Sequence, residues 1–428
     1  MMFFQRSLIV FGTSFIMSAC NADVVTNLEI TQDKQLAKEV NLTKLDFLKN
    51  DVAPEKQKTT YSSTDIAIKD KSEQMFLALS AELYNRFDAP DKSAENYKKL
   101  VLETSDTKVA QRATILAATN NQSEDALLKA KKWVQLDGED LEANQYLALL
   151  LLRTDRFVES ATQLLRIEEL VSKTETEADK DSFKSLRFIG ALLSVESHHK
   201  KALKVFQQYL TFDSRADIDS DDSVKAQQQL ILASLAEQSG NHSIVVTALD
   251  QLDNYVRKDA IESESYIKAS VMKAKALKEV QRVAEAINVL KPVVDDHGAS
   301  DSIKLELVRL LIMNNQKDTA FTYLKALSEK HPQNNDLLKS LIALEIDRSN
   351  YQNATRDIQK LMLSAEYSSD AEYFMAEVLE AQGDSRSALE RYMNVTSGSL
   401  LSNAKKKVAR ISKQLAVENE TQKVNYKK

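Results

Sequence analysis

From Met75 onward, apolar and small residues recur at intervals of three and four positions, the period of an amphipathic helix. The apolar segments are about 12 to 15 residues long, with brief polar breaks between them, such as 120–122 and 382–384. Residues 21–71 carry scattered polar side chains without a sustained apolar period, which is typical of a disordered tether. The pattern therefore predicts helices joined by short turns from residue 72 onward.

Composition favours a chain built almost entirely from helices. Only 7 glycines and 4 prolines occur in 428 residues, too few for a sheet-rich fold with many tight turns. A hydrophobic content of 43% allows a sizeable core, and the single cysteine leaves neither a disulfide framework nor a thiolate metal site. The formal net charge of −6 argues against broad nucleic-acid binding, so no nucleic-acid partner is expected.

A small residue recurs with a period of 34 in the second half of the chain. The recurring residues are Ala286, Ala320, Ala354 and Ala388. Twelve positions before each of them lies a small or aliphatic residue, in order Ala274, Val308, Ile342 and Ala376. This spacing resembles the tetratricopeptide repeat, in which two antiparallel helices cross at these two positions. The alternative is a chance period in an unrelated helical bundle.

Weaker copies of the repeat extend toward the N-terminus. Gly190 precedes Ala202 by twelve residues, and Ser234 precedes Val246 by the same interval. Further repeats are indicated by Ala94, Ala126 and Ala161. Eight or nine repeats are thus expected, with longer loops between 161 and 286. The predicted fold is an all-α, right-handed superhelical tetratricopeptide-repeat solenoid over 72–415, followed by a basic tail over 416–428.

The N-terminus has the features of an export signal. Arg6 is followed by an apolar stretch over 8–17 that is too short to cross a bilayer, and then by small residues. Residues 17–20 (MSAC) resemble a lipobox, which predicts a signal peptide over 1–19, lipidation of Cys20 and a lipid-anchored tether over 20–71. Asn21 after the cysteine favours the periplasmic face of the outer membrane by the sorting rule of such lipoproteins. The alternative is an ordinary secretory signal with an incidental cysteine.

No pattern of catalytic or metal-binding residues emerges. Asp217, Asp219 and Asp221 have the spacing that opens a calcium loop, but the loop glycine and the bidentate glutamate are missing. His198 and His199 are adjacent, point about 100° apart on a helix and have no carboxylate at metal-ligand spacing. We therefore expect no enzyme, no cofactor and no metal site.

A tetratricopeptide array offers a groove lined by the first helix of each repeat, and this groove binds peptides or partner helices. The predicted groove positions carry a basic stretch formed by Lys184, Arg187, Lys268, Lys275, Lys278, Arg309 and Lys339. They change sign in the last repeat, at Tyr373, Glu377 and Glu380. The alternative is that these charges are merely solvated helix faces. Core packing between helices is expected for Tyr84, Tyr97, Trp133 and Tyr146.

Several phrases of the chain resemble a known family. They are LSAEL at 79–83, AENY at 94–97, VAQRAT at 109–114, AKKWVQLD at 130–137, LALLLLR at 147–153 and YFMAE at 373–377. Together with the lipobox and the repeats, they resemble proteobacterial outer-membrane tetratricopeptide-repeat lipoproteins that act as adaptors for a periplasmic carboxyl-terminal processing protease. Relatives tend to continue with further repeats beyond the point where this chain ends.

The resemblance implies a non-catalytic scaffold anchored in the outer membrane by its N-terminal lipid. Such a scaffold holds the protease and presents envelope substrates to it, among them peptidoglycan hydrolases. The alternative is an assembly lipoprotein for outer-membrane proteins, pili or exopolysaccharide export. The repeat pattern by itself indicates only protein binding, because function belongs to a surface rather than to a fold. The sequence does not predict an oligomeric state.

Overall fold

The computed structural model describes residues 71–87, 89–173, 183–212, 222–255, 263–296 and 299–425. These residues form α-helices, one short 3-10 helix and no strand. The chain divides into two compact units. The described residues from 71 to 280 belong to the first unit, and those from 281 to 425 belong to the second unit.

The described part of the first unit consists of helices joined by short turns and loops. The helices are α1 (Lys71–Arg86), α2 (Pro90–Glu103), α3 (Thr107–Thr119), α4 (Ser123–Leu136), α5 (Leu141–Arg153), α6 (Phe157–Lys173), α7 (Lys184–Ser194), α8 (His199–Phe212), α9 (Asp222–Gln238), α10 (His242–Tyr255) and α11 (Ser263–Glu279). Consecutive helices pack against each other in pairs, for example α1 with α2 and α5 with α6.

The described part of the second unit has the same organisation. Its helices are α12 (Val283–Asp296), α13 (Asp301–Met313), α14 (Lys317–Lys330), α15 (Asn335–Asp347), α16 (Tyr351–Leu361), a 3-10 turn (Ala365–Tyr367), α17 (Ser368–Ala381), α18 (Ser385–Met393) and α19 (Leu401–Asn425). The pairs are α13 with α14, α15 with α16 and α17 with α18. The all-α fold predicted from the sequence is confirmed.

The turn inside a helix pair recurs with the same backbone geometry. Asn121, Asp155, Asn315, Ser349 and Gly383 each have a positive φ, between 58° and 89°. The residue that follows donates its N–H to a carbonyl of the preceding helix, as from Gln122 to Ala117 at 3.0 Å and from Gln316 to Leu311 at 2.8 Å. A left-handed residue with this bond is the Schellman ending of a helix. The predicted breaks at 120–122 and 382–384 are both such turns.

The two helices of a repeat are predicted to cross at a pair of residues twelve positions apart, and in the second unit both residues of each such pair are completely buried. Val308 with Ala320, Ile342 with Ala354 and Ala376 with Ala388 each have no exposed surface. Small side chains here allow the two helices of a pair to approach closely, and the surrounding aliphatic and aromatic residues close the core. The 34-residue period thus corresponds to a repeated contact between helices.

In the first unit the same crossing position is partly filled by serine. Ser93 lies twelve residues after Ala81, and Ser160 twelve after Ala148, and all four are buried. The Ser160 hydroxyl donates to the Ala148 carbonyl at 2.8 Å, which satisfies it inside the core. The sequence pattern marks these repeats by Ala94 and Ala161. The residues at the helix crossing are instead their predecessors, Ser93 and Ser160. A search for alanine alone misses a small residue whose hydroxyl has a backbone acceptor.

Where the repeats of the first unit lengthen, specific contacts replace the regular ones. A Cβ on Gly190 in α7 would lie 3.1 Å from the Ile231 side chain in α9, closer than an ordinary van der Waals contact, so a larger residue would require Ile231 to shift. The Arg153 guanidinium donates two bonds to the Glu196 carboxylate, at 3.0 and 3.2 Å, with both side chains buried. Lys201 in turn donates to the Arg153 carbonyl at 2.7 Å. These bonds join the end of α5 to the turn before α8.

The predicted aromatic core is largely confirmed. Tyr97, Trp133 and Tyr146 are buried, but Tyr84 is 38% exposed. The prediction for Tyr84 is wrong because this residue lies on α1. The outer face of α1 is apolar, but no other helix among the described residues covers it. That face also carries Met75, Phe76, Leu79, Leu83 and Phe87. Helical periodicity identifies an apolar face but not whether a neighbouring helix covers it.

Helix α19 packs against α18 at the end of the second unit. It buries Ala404 and Ile411 and exposes Lys405, Lys406 and Lys413. A polar outer face over an apolar inner one is what the last element of a repeat array requires. The helix continues to Asn425, beyond the boundary predicted at 415.

Candidate functional site

A groove of about 550 Å³ runs along the first helices of three successive pairs in the second unit. Its floor holds small side chains, Ser340 and Ala343 on α15 and Ala381 on α17. Its apolar walls are formed by Ile312, Leu344, Ile346, Tyr351, Tyr373, Phe374 and Leu400. A concave apolar surface with a small-residue floor can accept a large side chain or a closely approaching backbone from a partner.

Helical spacing places the polar lining of the groove on one face of α17. Tyr373, Glu377 and Glu380 follow each other at intervals of four and three residues, so they lie along the same face. Tyr373 is anchored by an edge-on contact with Tyr392, with ring centroids 5.4 Å apart, and its hydroxyl donates to Glu377 at 3.1 Å. Lys407 reaches the same face from α19.

Glu380 is the most heavily bonded acid of the groove. It accepts from the Tyr392 hydroxyl at 2.8 Å and from Lys407 at 3.0 Å, and it also pairs with Arg410. Burial alone would raise the pKa of Glu380, but these donors together hold the pKa below its ordinary value. Glu380 therefore stays ionised and ties α19 to α17 and α18.

Glu377 has a different environment on the same helix. Among the described residues its nearest cation is Lys407, at 3.9 Å, and its pKa is raised because burial outweighs that attraction. Its side chain is 27% exposed. The groove therefore contains one carboxyl group that the chain compensates poorly and that an incoming partner can reach.

Lys339 lies at the other end of the groove and is almost fully buried. Its ammonium group pairs with Asp370, lies 3.9 Å from Asp336 and sits 5.0 Å from the centre of the Tyr367 ring. These contacts neutralise the charge within the chain. Lys339 therefore shapes the groove wall rather than presenting a positive charge.

Four of the residues predicted to line a groove come together in this one: Lys339, Tyr373, Glu377 and Glu380. Arg309 also lies in the second unit but outside this lining, where it pairs with Glu306 at 2.7 Å. The sequence predicts a change from basic to acidic side chains along the groove. In this unit, only the acidic end of that pattern lines the groove. The positive charges predicted from single positions are cancelled by acids three residues away or in the next pair.

The remaining predicted groove residues belong to the first unit. Lys184 and Arg187 lie on α7, and Lys268, Lys275 and Lys278 lie on α11, all partly buried. Lys275 is close enough to Glu237 to lower the pKa of that carboxyl, although burial raises it overall. The other four all interact with other residues of the chain. Their role in binding a partner stays a prediction.

Lys407 and Leu400 are parts of the groove that the sequence pattern does not point to. Both come from the segment after α18, which the repeat period does not cover. A long, lysine-rich helix after the last repeat is the only signal in the sequence, and it does not reveal which side chain turns back toward α17.

The histidine pair lies at the predicted polar turn, with one difference from expectation. His198 is 2.8 Å from Glu196, so a carboxylate partner exists two residues before it. This contact belongs to the cluster with Arg153. Within the described ranges no group of three or more metal-ligating side chains occurs.

Two predicted features fall outside the described residues. They are the lipidation site at Cys20 and the acidic loop with Asp217, Asp219 and Asp221. Across the described part of the chain, no helix combines the length and the apolar character needed to cross a bilayer.

The tetratricopeptide-repeat family model matches residues 277–344. No curated protein sequence matches this chain. Similar solved structures include a Naa15/Naa10 complex bound to HypK-THB, with 14% identity, 81% of this chain and 52% of that chain covered, and a TM-score of 0.37. The tetratricopeptide-repeat domain of P58(IPK) has 11% identity, with 80% and 99% covered and a TM-score of 0.26.

A tetratricopeptide-repeat protein from Parabacteroides merdae also resembles the chain, with 11% identity, 80% and 99% covered and a TM-score of 0.25. This chain spans about half of the Naa15/Naa10 chain that it resembles. Distant likenesses of this kind carry no information on function. The matched repeat segment and the repeated helix pairs agree on an all-α fold of tetratricopeptide-repeat type, and such repeats are scaffolds for protein–protein interaction.

Proposed function

We propose that this protein is a non-catalytic adaptor that binds its partners through the groove between α13, α15, α17 and α19. The observation that carries the proposal is the composition of that groove: apolar walls, a floor of small side chains and charges that are mostly paired within the chain. Burying charges that are already paired adds little further desolvation, so apolar contacts provide the binding energy.

The identity of the partner is proposed from the sequence phrases and the lipobox-like segment. The adaptor is anchored through Cys20 at the periplasmic face of the outer membrane. It holds a carboxyl-terminal processing protease and presents envelope substrates such as peptidoglycan hydrolases.

An affinity pull-down of the tagged, full-length protein from detergent-solubilised envelopes tests this proposal. We expect a carboxyl-terminal processing protease and wall hydrolases to be recovered with the wild-type protein. Ala343→Trp, which fills the groove floor, should abolish recovery because the indole occupies the space of the partner's side chain. Ala326→Trp is the matched control, since Ala326 is an exposed alanine on α14 outside the groove.

A Cys20→Ser variant separates anchoring from binding. It should retain the partners in detergent extracts but lose its association with outer-membrane fractions. Recovery of secretion or polysaccharide-export components in place of a protease would overturn the adaptor proposal and favour an assembly lipoprotein. Equal recovery with Ala343→Trp and Ala326→Trp would show that the groove is not the binding surface.

A further inference from the structure

The groove of the second unit has an uneven distribution of charge. Three acids line it, Asp347, Glu377 and Glu380, against two cations, Lys339 and Lys407. The charge of Lys339 is neutralised by its ion pair with Asp370, and Lys407 lies closer to Glu380 than to Glu377. The lining residues themselves therefore include one more acidic than basic side chain.

The uncompensated charge can be assigned to one residue. Asp347 is paired with Lys317 at 2.7 Å, and Glu380 with Lys407 at 3.0 Å and with Arg410. Among the described residues, only a lysine at 3.9 Å lies within ion-pair distance of Glu377. Two neighbouring carboxylates, Asp347 and Glu380, also act to disfavour its charge.

A cation supplied by a binding partner would compensate the charge of Glu377. Glu377 is partly exposed to the groove and lies one helical turn from Tyr373 and from Ala381. A ligand side chain seated on the apolar floor would thus bring its neighbouring residue close to the Glu377 carboxylate. An ammonium or guanidinium group there gains a charge-assisted hydrogen bond in a partly desolvated place. An acidic residue at the same point would meet three carboxylates.

We propose that the groove recognises a polypeptide segment in which a large apolar side chain stands next to a lysine or arginine. The proposal rests on the proposed function only in using the same groove, and it holds whatever protein supplies the segment. The apolar side chain fills the space above Ala343 and Ala381, and the basic side chain pairs with Glu377. Glu377 thereby selects among partners by charge, while the walls provide affinity.

The test is a selection from a phage-displayed library of random twelve-residue peptides on the immobilised full-length protein. Peptides retained by the wild-type protein but not by Ala343→Trp should be enriched in an aromatic or aliphatic residue adjacent to Lys or Arg. A synthetic copy of the most enriched peptide should bind Glu377→Gln about tenfold more weakly than the wild-type protein. Glu390→Gln, which removes an exposed acid on α18, is the matched control and should leave binding unchanged.

Three outcomes would overturn the inference. They are enrichment of acidic residues, retention of the same peptides by Ala343→Trp, and equal binding of the synthetic peptide to Glu377→Gln and the wild-type protein. The selection is independent of the pull-down. Enrichment of basic, apolar peptides without recovery of a protease would retain this inference and reject the proposed partner. Recovery of a protease without such enrichment would do the reverse.

Discussion

The two units are built from the same helix pair but repeat it at different intervals along the chain. In the second unit, crossing residues recur every 34 positions, from Val308 and Ala320 to Ala376 and Ala388. In the first unit the interval lengthens to 42 between Ser160 and Ala202 and to 44 from there to Val246. A buried ion pair and a glycine contact lie in that irregular stretch.

Two buried glutamates show the difference most clearly. Glu196 in the first unit is bonded by Arg153 and His198, and although burial acts to raise its pKa, these bonds hold the pKa below its ordinary value. Glu345 in the second unit is 3% exposed, and one of its carboxylate oxygens has no hydrogen-bond partner among the described residues. Burial, with Asp357 nearby, raises the pKa of Glu345 to about 7.

Burial sets the free-energy cost of a charged side chain, while its ion-pair and hydrogen-bond partners decide whether the side chain stays charged. The regular repeats of the second unit retain two poorly compensated acids, Glu345 and Glu377. In the irregular stretch of the first unit, the buried Glu196 is held by an ion pair with Arg153 and a contact with His198. The two units should therefore respond in opposite directions when their buried acids are neutralised.

The largest effect is expected for Glu196→Gln. It leaves the Arg153 guanidinium buried without its counter-charge, and we expect the free energy of unfolding to fall by about 3–5 kcal/mol. Urea unfolding gives the magnitude, and hydrogen exchange should show the loss at the amides of α5 and α8. The control is Glu159→Gln, which breaks an exposed pair with Lys131 and should change stability by about 0–1 kcal/mol. Equal effects of the two substitutions would contradict the dependence on the buried pair.

The effect of Glu196→Gln should also depend on pH. A carboxyl whose folded-state pKa is lowered stabilises the fold above its unfolded pKa of about 4.3, and this contribution disappears as the pH falls through the folded value. The stability difference between the wild-type protein and Glu196→Gln should hence be constant near neutrality and shrink in acid. A difference that grows as the pH falls below about 4 would be inconsistent with this.

Gly190→Ala should be the next most damaging. Its Cβ would press on the fully buried Ile231 side chain, and we expect a loss of about 1–3 kcal/mol, against the gain of about 0.5–1 kcal/mol that alanine normally brings to a helix interior. Trimming the neighbour in the double variant Gly190→Ala, Ile231→Val should recover part of the loss. Thermal unfolding of the wild-type protein and the two variants decides the point; a more stable Gly190→Ala would mean that α9 moves aside.

Glu345→Gln in the second unit should act in the opposite sense. Because its pKa of about 7 exceeds the unfolded value of about 4.3, the native state holds a proton that the unfolded chain releases, and stability falls as the pH rises between these values. At pH 8, removing the charge should therefore stabilise the protein by about 1–2 kcal/mol, and below about pH 4 the gain should vanish. Glu366→Gln, an exposed acid on the same unit, serves as control in urea titrations at both pH values. Destabilisation at pH 8 would mean that the charge of Glu345 is compensated.

The smallest effect concerns the recurrent turn. Ser349 has a φ of 61°, a left-handed conformation that glycine adopts more readily, so Ser349→Gly should add about 0.5–1 kcal/mol. Ser328→Gly, in the last turn of α14, should subtract up to about 0.5–1 kcal/mol because its backbone is helical. Denaturation midpoints of the two variants on either side of the wild-type value are the expected result. Midpoints shifted in the same direction would exclude the backbone explanation.

Much of the fold follows from local signals. The helices and the turns at 120–122 and 382–384 follow from periodicity and from residues that tolerate a left-handed backbone. The crossing positions of the second unit follow from alanines at a constant interval. Ser93 and Ser160 escape the same criterion because they are small buried residues other than alanine, and the Ser160 hydroxyl has its acceptor in another helix.

Only some of the residues that line the candidate groove could be predicted from the sequence. Tyr373, Glu377 and Glu380 could be found because helical spacing puts them on one face. The neutralisation of Lys339 by Asp370 could not, since the two residues lie on successive first helices whose distance no local pattern encodes. Nor could the contribution of Lys407, which depends on how α19 packs against α17 and α18.

By itself, the sequence determined an all-α chain of helix pairs and the helical faces that carry apolar and charged residues, because these properties depend on neighbours three and four positions apart. The tertiary structure alone decided which charges remain uncompensated. Glu196, Glu345 and Glu377 are the same residue type, the first in a turn and the other two on helices, yet the pKa of Glu196 is lowered while those of Glu345 and Glu377 are raised. The reason is physical: burial and distance to a counter-charge act through space, between residues that the chain separates by tens of positions.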